Sequence, residues 1–319
     1  MRMTPELLAL HKKAADFREI ATNPQARAAW AESRGMVILP MIPTQSTIRN
    51  IFTVEQLLQG NTLTIDIPFE DTEVVFMLPQ VGGYPTAQVE GKQMSIDTFI
   101  VGGGIEFQED IALDGRFQVG DRSTFMLMNH FVKMEELCGW SMILNHAAVL
   151  PSAQKFQCYT DEAGTAGTPG SGGSPGTGRL TIRSLNRIIT IGDKLGIGGR
   201  RVVDLYVSPE RFNDLRNAIN AGLLLPDSVK QSLYGDGQGP AQVSGIRIHR
   251  VWNPDLVSDA KGYAFTYKEG YTYGIMPIRN NVETRDDILA YRENKIGVRG
   301  RARYGFGVLD DKGLIEVTF

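Results

Sequence analysis

The feature that most constrains the fold is a helical pattern that runs without a break from residue 121 to residue 147. Either Asp121 or Ser123 can cap its start. Residues at helical spacing form one broad apolar face: Phe125, Met128, Val132 and Leu137. A polar stripe is formed by Asn129, Lys133 and Glu136. At about 1.5 Å per residue the helix would be roughly 40 Å long, which is unusual in one compact domain.

A strand that runs directly into a helix is predicted for "VVDLYVSPERFNDLRNAI", residues 202–219. Ser208 fits the N-cap position of this helix and Pro209 fits its first position. A phosphate-binding turn needs glycines at such a junction, and the proline removes one N–H group that a phosphate would use. We therefore interpret the junction as a helix cap. The glycine-rich stretch 192–200 follows a helix and precedes a strand, which is the wrong order for a phosphate cradle, so we interpret it as a helix stop.

The N-terminal residues 4–33 are predicted to be helical, with Thr4 as the cap and a break at Asn23-Pro24. The apolar stripe of this arm consists of Leu7, Leu10, Ala14 and Phe17. Its area is modest. The arm therefore either packs on a neighbouring subunit or partner, or forms a loosely docked terminal helix.

The next segments are predicted to be mostly extended. Residues 37–45 contain two prolines, which favour extended backbone. Residues 53–60 are predicted to form a short helix that ends at Gly60. Apolar alternation or β-branched composition predicts strands at 62–69, 73–78, 95–110 and 246–251, and two strands in the tail 294–319 joined at 309–313.

Two stretches rich in glycine and proline interrupt this pattern. Residues 79–93 resemble the tip of a long hairpin loop, and residues 163–178 have the low-complexity composition of a flexible loop or linker. Residues 163–178 are not a candidate for catalysis.

Charge and cysteine content exclude several functional classes. The chain has 33 Lys and Arg against 36 Asp and Glu, a net charge of −3, which argues against a protein held to nucleic acid mainly by its own basic charge. Cys138 and Cys158 provide neither a disulfide framework nor a metal-binding spacing, and both are expected to be reduced. No apolar run is long enough for a signal peptide or a membrane span, so we expect assembly in the cytoplasm.

No group of residues predicts a catalytic site, a bound cofactor or a metal centre. No pair among the four histidines, His11, His130, His146 and His249, has metal-ligand spacing on one helix face. Glu135-Glu136 diverge on a helix and are interpreted as a solvated or intersubunit face. Asp286-Asp287 are interpreted as a turn or helix start.

The only basic cluster is "RGRARYG", residues 299–305. In a strand, Arg299, Arg301 and Arg303 would point to one face. They could contact nucleic acid or the acidic groups of a neighbouring subunit. The acidic balance of the whole chain favours the neighbour.

The order of the predicted elements resembles that of the HK97-like major capsid proteins of tailed bacteriophages. Four stretches carry the resemblance: "FTVEQLLQGNTLTIDIPF", the glycine-tipped hairpin with the long helix that follows it, "VVDLYVSPERFNDLRN", and the tail "ENKIGVRGRARYGFGVLDDKGLIEVTF". Together they cover most of residues 36–319.

The resemblance implies an α+β HK97-like capsid fold. Its parts would be an N-terminal arm, an extended loop, a spine helix, and peripheral and axial domains. The implied boundaries are 1–35 for the N-terminal arm, 36–69 for the arm-to-loop segment, 70–106 for the extended loop, 107–150 for the peripheral domain with the spine helix, 151–275 for the axial domain, and 276–319 for the closing strands of the peripheral domain.

The resemblance also implies a function. The chain would be a major capsid protein and not an enzyme, and it would assemble as hexamers and pentamers into an icosahedral shell around double-stranded phage DNA. The other implied partners are a scaffolding protein, a portal and in some relatives a decoration protein, with contact to DNA weak and non-specific. The location would be the virion capsid. About 35 residues precede the extended segment, too few for a fused scaffold, so a separate scaffolding protein is expected.

Some members of this family join subunits by an isopeptide bond between a loop lysine and an asparagine, aided by a glutamate. Lys92 and Asn294 match the first two positions. Arg301 stands where the glutamate is expected. We therefore predict no self-crosslinking.

Two alternatives remain open. The first keeps the fold and makes the chain the shell of an encapsulin-like nanocompartment, which would need an inner groove left free by residues 4–33. The second is a cytosolic α/β enzyme that binds a nucleotide through residues 192–210. The lack of glycines at 207–209 counts against it.

Overall fold

The computed structural model of the protein describes a set of segments that covers most of the chain: 5–68, 91–158, 178–196, 199–220, 241–251, 253, 255–287 and 294–319. Backbone alone is described for residues 5–12, 14, 35–45, 68, 183 and 218–220. Four earlier predictions lie outside the described residues: Thr4 as the cap of the first helix, the strand at 73–78, the loop tip up to residue 90, and residues 163–177. Among the described residues, no helix combines the length and the apolar character needed to cross a membrane.

The chain divides into two compact units, each built from segments that are separate in sequence. The first unit comprises 1–63, 95–139 and 276–306, and the second comprises 64–94, 140–275 and 307–319. Both helices and sheets are present, as predicted.

The first unit contains the N-terminal helices, the long helix and an antiparallel sheet. Its helices are α1 (Pro5–Thr22), α2 (Pro24–Gln45), α3 (Ile48–Ile51), α4 (Glu109–Leu113) and the first part of α5 (Phe117–Val149). The described residues up to 108 form strands β1 (Thr53–Gln56), β2 (Thr62–Pro68), β3 (Gly91–Asp97) and β4 (Phe99–Gln108), and β2 pairs with β3 as a separate two-stranded sheet. The predicted long helix is confirmed. The strand at 62–69 is confirmed to within one residue.

The second unit is built on a six-stranded sheet. Its short strands and helices are β5 (Lys155–Gln157), α6 (Ile182–Asp193), β6 (Arg201–Val207), α7 (Pro209–Asn220), β7 (Ala241–Val243), β8 (Ile246–Arg250) and β9 (Lys261–Tyr267). The chain closes with β10 (Gly274–Asp286), β11 (Lys295–Tyr304), β12 (Gly307–Val308) and β13 (Leu314–Thr318). The strand order of the second unit is β5-β13-β9-β6-β8-β7, and that of the first is β1-β10-β11-β4, with β12 pairing to β10.

Two local predictions were wrong. Residues 53–56 form strand β1 rather than a helix, and the N–H of Leu57 donates to the carbonyl of Ile278 at 2.9 Å. Residues 37–45 are not extended but continue helix α2 to Gln45 despite two prolines.

The N-terminal arm packs on its own chain. Phe17 and Ile20 of α1 are buried in a cluster with Phe107 of β4 and Ile296 of β11. The rings of Phe17 and Phe107 stack with their centroids 5.9 Å apart. The arm is therefore a docked helix of the first unit. The break at Asn23-Pro24 is confirmed, because α1 ends at Thr22 and α2 begins at Pro24.

The core of the second unit lies between the six-stranded sheet and the helices α6 and α7. Leu185, Ile188, Leu205 and Phe212 are among its fully buried residues. A capping box between Thr181 and Ser184 starts α6.

The residues on either side of segment 159–177 meet in space. The Cys158 carbonyl lies so close to Gly178 that a Cβ atom at position 178 would not fit. The Cys158 N–H donates to the Thr318 carbonyl at 2.7 Å, and Arg211 Nη1 donates to the Gly178 carbonyl at 2.7 Å. Both ends of the segment are thus fixed at one place on the second unit.

Candidate intersubunit surface

The basic cluster of the tail lies on β11, which pairs with β4 over ten residues without a register shift. Arg299 pairs with Gly104, Gly300 with Gly103, and Arg301 with Gly102. Because side chains alternate across a strand, the two arginines share one face and lie over glycines. The three consecutive glycines Gly102–Gly104 do not interrupt the strand, because β4 continues through them to Gln108.

Glycine is needed at position 300 because the opposite face of the sheet approaches α5 closely there. A Cβ atom at Gly300 would lie 2.5 Å from Phe131 Cε2, well inside van der Waals contact. A Cβ atom at Gly103 would lie 3.9 Å from Leu127 Cδ1, an ordinary contact. The two paired glycines thus differ in how much space the long helix leaves them.

The outer face of this sheet carries a depression of about 850 Å³ with a glycine floor. We call this depression the glycine groove. Its residues are Ile100, Gly102, Gly103, Gly104, Glu106, Glu283, Arg285, Asp286, Asp287, Arg299, Gly300 and Arg301. Three cations and four carboxylates line it, so the surface is mixed in charge. A groove of this composition favours the polar side chains of a protein over a phosphate backbone.

The charges of the glycine groove are only partly paired. Arg299 Nε lies 2.5 Å from Asp287 Oδ2, and Arg285 Nη2 lies 3.5 Å from Glu283 Oε2. Arg301 faces Glu283 across the β10–β11 pair and makes no ion pair or hydrogen bond with the described residues. Arg301 is therefore a free cation in the described part of the groove.

Arg303, the third arginine of the predicted row, is bound locally. Its Nε donates to Thr98 Oγ1 at 3.0 Å and its Nη2 to the Thr98 carbonyl at 3.5 Å. Arg303 is half-buried, whereas Arg299 and Arg301 are exposed. Two of the three arginines therefore remain open to a neighbour.

The residues considered for crosslinking lie on different units. Lys92 is exposed on β3 in the second unit. Asn294 precedes β11 in the first unit with a left-handed φ of 57°, and its carbonyl accepts from the Glu109 N–H at 3.0 Å. The absence of self-crosslinking stays a prediction.

Glu135 and Glu136 join the arm to the long helix and do not form a solvated face. Glu135 is buried and accepts from Ser46 Oγ at 2.7 Å and from Arg49 Nε at 2.7 Å. Glu136 accepts from Thr47 Oγ1 at 2.6 Å and from the Thr47 N–H at the start of α3. Adjacent helix residues do diverge, as expected, but both side chains reach the one segment that connects α2 to β1.

Asp286 and Asp287 also serve the fold. Asp286 is the last residue of β10 and not a helix start, and its Oδ2 lies 3.0 Å from Arg27 Nε on α2. Asp287 binds Arg299, as described above. These two carboxylates therefore fix strand ends to their neighbours.

Two predictions near residue 200 are confirmed, namely the helix cap at Ser208 and the helix stop in the glycine-rich stretch. Ser208 Oγ accepts from the Arg211 N–H at 3.4 Å, and α7 begins at Pro209. The stretch after α6 turns back through Gly199, whose φ is +71°, and the Arg200 N–H donates to the Gly192 carbonyl at 3.0 Å. Residues 192–200 are thus a helix stop.

Sequence reasoning missed a histidine–aspartate pair on the six-stranded sheet. His249 Nε2 lies 2.7 Å from Asp204 Oδ1, and the His249 ring stacks on Tyr206 at 4.6 Å. Burial by itself would raise the pKa of Asp204, but hydrogen bonds from His249 and Arg247 outweigh it and the net shift is downward. The parallel register of β6 and β8 brings these residues together, and no local pattern in the sequence could have shown it.

The described side chains of His130 and His146 do not join the pair of His249 and Asp204 in one site. His130 is exposed on α5, and the His11 side chain lies outside the described residues. His146 Nδ1 lies 3.2 Å from Tyr273 Oη, and burial lowers the pKa of His146 more than Asp311 and Asp310 raise it. Within the described ranges no three His, Cys, Asp or Glu side chains are placed to hold a metal ion.

No protein-family model and no curated protein matches the chain. Solved structures do match it. The capsid of Ralstonia phage GP4 is similar with a TM-score of 0.59 and 11% identity, over 84% of this chain and 87% of that chain. A structure of Microbacterium phage Oxtober96 is similar with a TM-score of 0.57 and 13% identity, over 86% and 90% of the two chains.

An encapsulin complex from Synechococcus elongatus is also similar, with a TM-score of 0.55 and 11% identity, over 88% of this chain and 90% of that chain. At such identities the likeness establishes the fold. The chain has the α+β fold of the HK97-like phage capsid structures, as the sequence resemblance implied.

Proposed function

We propose that the chain is a major capsid protein that assembles as hexamers and pentamers into an icosahedral shell around double-stranded phage DNA. The observation that carries the proposal is the likeness in fold to structures named as phage capsids, which extends over most of both chains. A shell subunit needs surfaces for its neighbours and no catalytic group. The chain would therefore not be an enzyme.

The glycine groove supports this proposal as a surface for a neighbouring subunit. It is about 850 Å³ in volume and carries both signs of charge, and Arg301 makes no ion pair or hydrogen bond with the described residues. Mixed charge at a contact supplies specificity and fixes register. We propose that the extended loop, residues 70–106, lies over this face of a neighbouring subunit. Residues 99–106 of that segment belong to β4, so residues 70–97 would supply the contact with the neighbour.

The proposed domain roles follow the resemblance. Residues 1–35 would be the arm, 36–69 the arm-to-loop segment, 107–150 the peripheral domain with α5 as spine helix, and 151–275 the axial domain. The closing segment 276–319 supplies β10, β11 and β12 and also β13, which pairs with β5 and β9 in the six-stranded sheet.

We propose the partners of such a subunit as well. They are further copies of the chain, a separate scaffolding protein, a portal and, where present, a decoration protein. Assembly would occur in the host cytoplasm and the mature location would be the virion capsid. A net charge of −3 suits a shell that holds DNA weakly and without sequence preference. Packaging would change the angle of α5 and of the extended loop.

An encapsulin-like nanocompartment shell is the second candidate. The observation that favours it is the likeness to the Synechococcus elongatus encapsulin complex, which covers 88% of this chain. A nucleotide-binding enzyme gains no such support, since Ser208 and Pro209 form a helix cap.

The test is negative-stain electron microscopy of the full chain after gel filtration, expressed alone and with a candidate scaffolding protein. Closed shells, sheets or rings of hexamers support the capsid proposal. Uniform small shells that contain host protein favour the nanocompartment. A monomer or dimer that persists with the scaffolding protein contradicts both shell proposals.

A further inference from the structure

The outward face of α5 in the first unit is open to solvent although it carries large apolar side chains. Phe125, Met126 and Met134 are between 43% and 49% exposed. Met128 on the opposite side of the same helix is only 3% exposed. The apolar residues of this helix therefore divide between the core and an exposed surface, and the prediction that Phe125 and Met128 share one apolar face was wrong.

The charges of α5 are divided in the same way. The helix has three carboxylates, Asp121, Glu135 and Glu136, and all three are engaged within the first unit: Asp121 binds Arg34 at 2.6 Å, and the glutamates bind the α2–α3 connection. Its two cations, Arg122 and Lys133, are exposed and make no ion pair or hydrogen bond with the described residues. The outward face is therefore basic, in a chain whose net charge is −3.

The exposed residues form one continuous stripe along the helix. Arg122, Met126, Asn129 and Lys133 follow at spacings of four, three and four residues, which places them on one face. Exposed His130 and Met134 lie in the adjacent row. The two free cations are about 16 Å apart along the axis, which corresponds to three turns. We call these six residues, together with Phe125, the α5 stripe.

We propose that the α5 stripe docks an acidic amphipathic helix of a partner protein. The apolar side chains give such a helix a surface to bury, and the free cations at either end attract its carboxylates. A helix that packs along another helix makes its contacts through residues at i, i+3, i+4 and i+7, and the residues of the α5 stripe have this spacing. This inference goes beyond the shell function and does not depend on it.

Charge complementarity selects this occupant over others. Duplex DNA would use the cations but gain nothing from burying Phe125, Met126 and Met134. A purely apolar partner would leave Arg122 and Lys133 without partners in the contact. An occupant that satisfies both kinds of group must carry carboxylates beside an apolar row.

The experiment measures fluorescence anisotropy of labelled probes with the full chain at low salt. The first probe is a synthetic helical peptide of about 20 residues with leucine at i, i+3, i+4 and i+7 and glutamate on both flanks. The second has lysine in place of glutamate, the third has the composition of the first with leucines scrambled, and the fourth is a duplex DNA of equal length. We expect the first probe to bind at least tenfold more tightly than the others.

Substitutions in the chain test whether the α5 stripe is the binding site. Arg122→Glu with Lys133→Glu should weaken the acidic peptide about tenfold and strengthen the lysine peptide, because surface charge contacts act through sign and are screened by salt. Met126→Ser with Met134→Ser should weaken both peptides. Arg187→Glu on α6, also an exposed helix position, is the matched control and should change neither. All these positions are exposed, so thermal melting should confirm that the variants remain folded.

Three results would overturn the inference. One is equal binding of the acidic and scrambled peptides. The second is a preference for duplex DNA. The third is a charge-reversal variant that binds the acidic peptide as the unaltered chain does. Since the assay needs no assembled shell, its outcome and that of the electron microscopy are read independently.

Discussion

Arg49 and Glu135 form a two-pronged ion pair, with Nε 2.7 Å from Oε1 and Nη2 2.8 Å from Oε2. Only 3% of the Glu135 side chain is exposed. Arg49→Leu would leave this carboxylate buried without its cation, and we expect a loss of about 3 kcal/mol in the free energy of unfolding. Denaturant titration measures it.

Comparison with an exposed ion pair tests whether burial of Glu135 causes this loss of stability. Arg285→Leu removes the exposed partner of Glu283, 3.5 Å away, and should change stability by less than about 0.5 kcal/mol. Adding Glu135→Gln to Arg49→Leu should recover part of the loss, because the remaining group is then neutral. Equal losses in the single and double variants would contradict this account.

Gly300 and Gly103 provide a test of how closely α5 packs on the sheet. They are cross-strand partners, but the side chains of α5 leave less space at Gly300 than at Gly103. Gly300→Ala forces a Cβ atom to within 2.5 Å of buried Phe131, and we expect it to destabilise the chain by about 1–3 kcal/mol. Gly103→Ala meets only an ordinary contact and should be neutral or slightly stabilising, since glycine weakens a strand. The shift in melting temperature distinguishes them, and similar losses for both would be evidence against the close packing of α5 on the sheet.

The two thiols should differ in reactivity. Burial raises the pKa of Cys158 to about 12, and burial also raises the pKa of half-buried Cys138. Because the thiolate is the reactive form, Cys158 in the folded chain should resist a thiol reagent at pH 8. Cys138 should react first, although more slowly than free cysteine. In Cys138→Ser the early phase should disappear, and a rapid reaction that persists would show that Cys158 is accessible.

Acidification should destabilise the second unit through His146. Its folded pKa is lowered by burial, so the unfolded chain takes up a proton first as the pH falls below about 6.5. Stability is therefore lost as the pH falls from that value through the folded pKa. We expect His146→Gln to reduce the difference in urea midpoint between pH 7.5 and pH 5.5. Exposed His130→Gln should keep the full difference.

Where the local pattern and the packing agree, the sequence was sufficient. The long periodicity of α5 predicted its helix to within a few residues, and Ser208 and Pro209 predicted the start of α7. In these elements the same residues satisfy the backbone at the ends and bury one face.

The wrong predictions occur where contacts with residues distant in sequence determine the local structure. The segment from Thr53 has the composition of a helix, but pairing with β10 makes it a strand. Helix α2 continues past two prolines, with Arg34 bound to Asp121 before them and Ser46 bound to Glu135 after them. These contacts join residues more than 80 positions apart, which periodicity does not detect. That Arg299 and Arg301 share one face of β11 could be predicted, because the alternation of side chains along a strand is a local property.

The meeting of Cys158 and Gly178 has a practical consequence for engineering the chain. Because both ends of the segment are fixed at one point, a change in its length should have little effect on the rest of the second unit. Each doubling of loop length costs only about 0.6 kcal/mol in closure entropy. The stretch between them is therefore the natural place to insert a foreign epitope or an affinity tag.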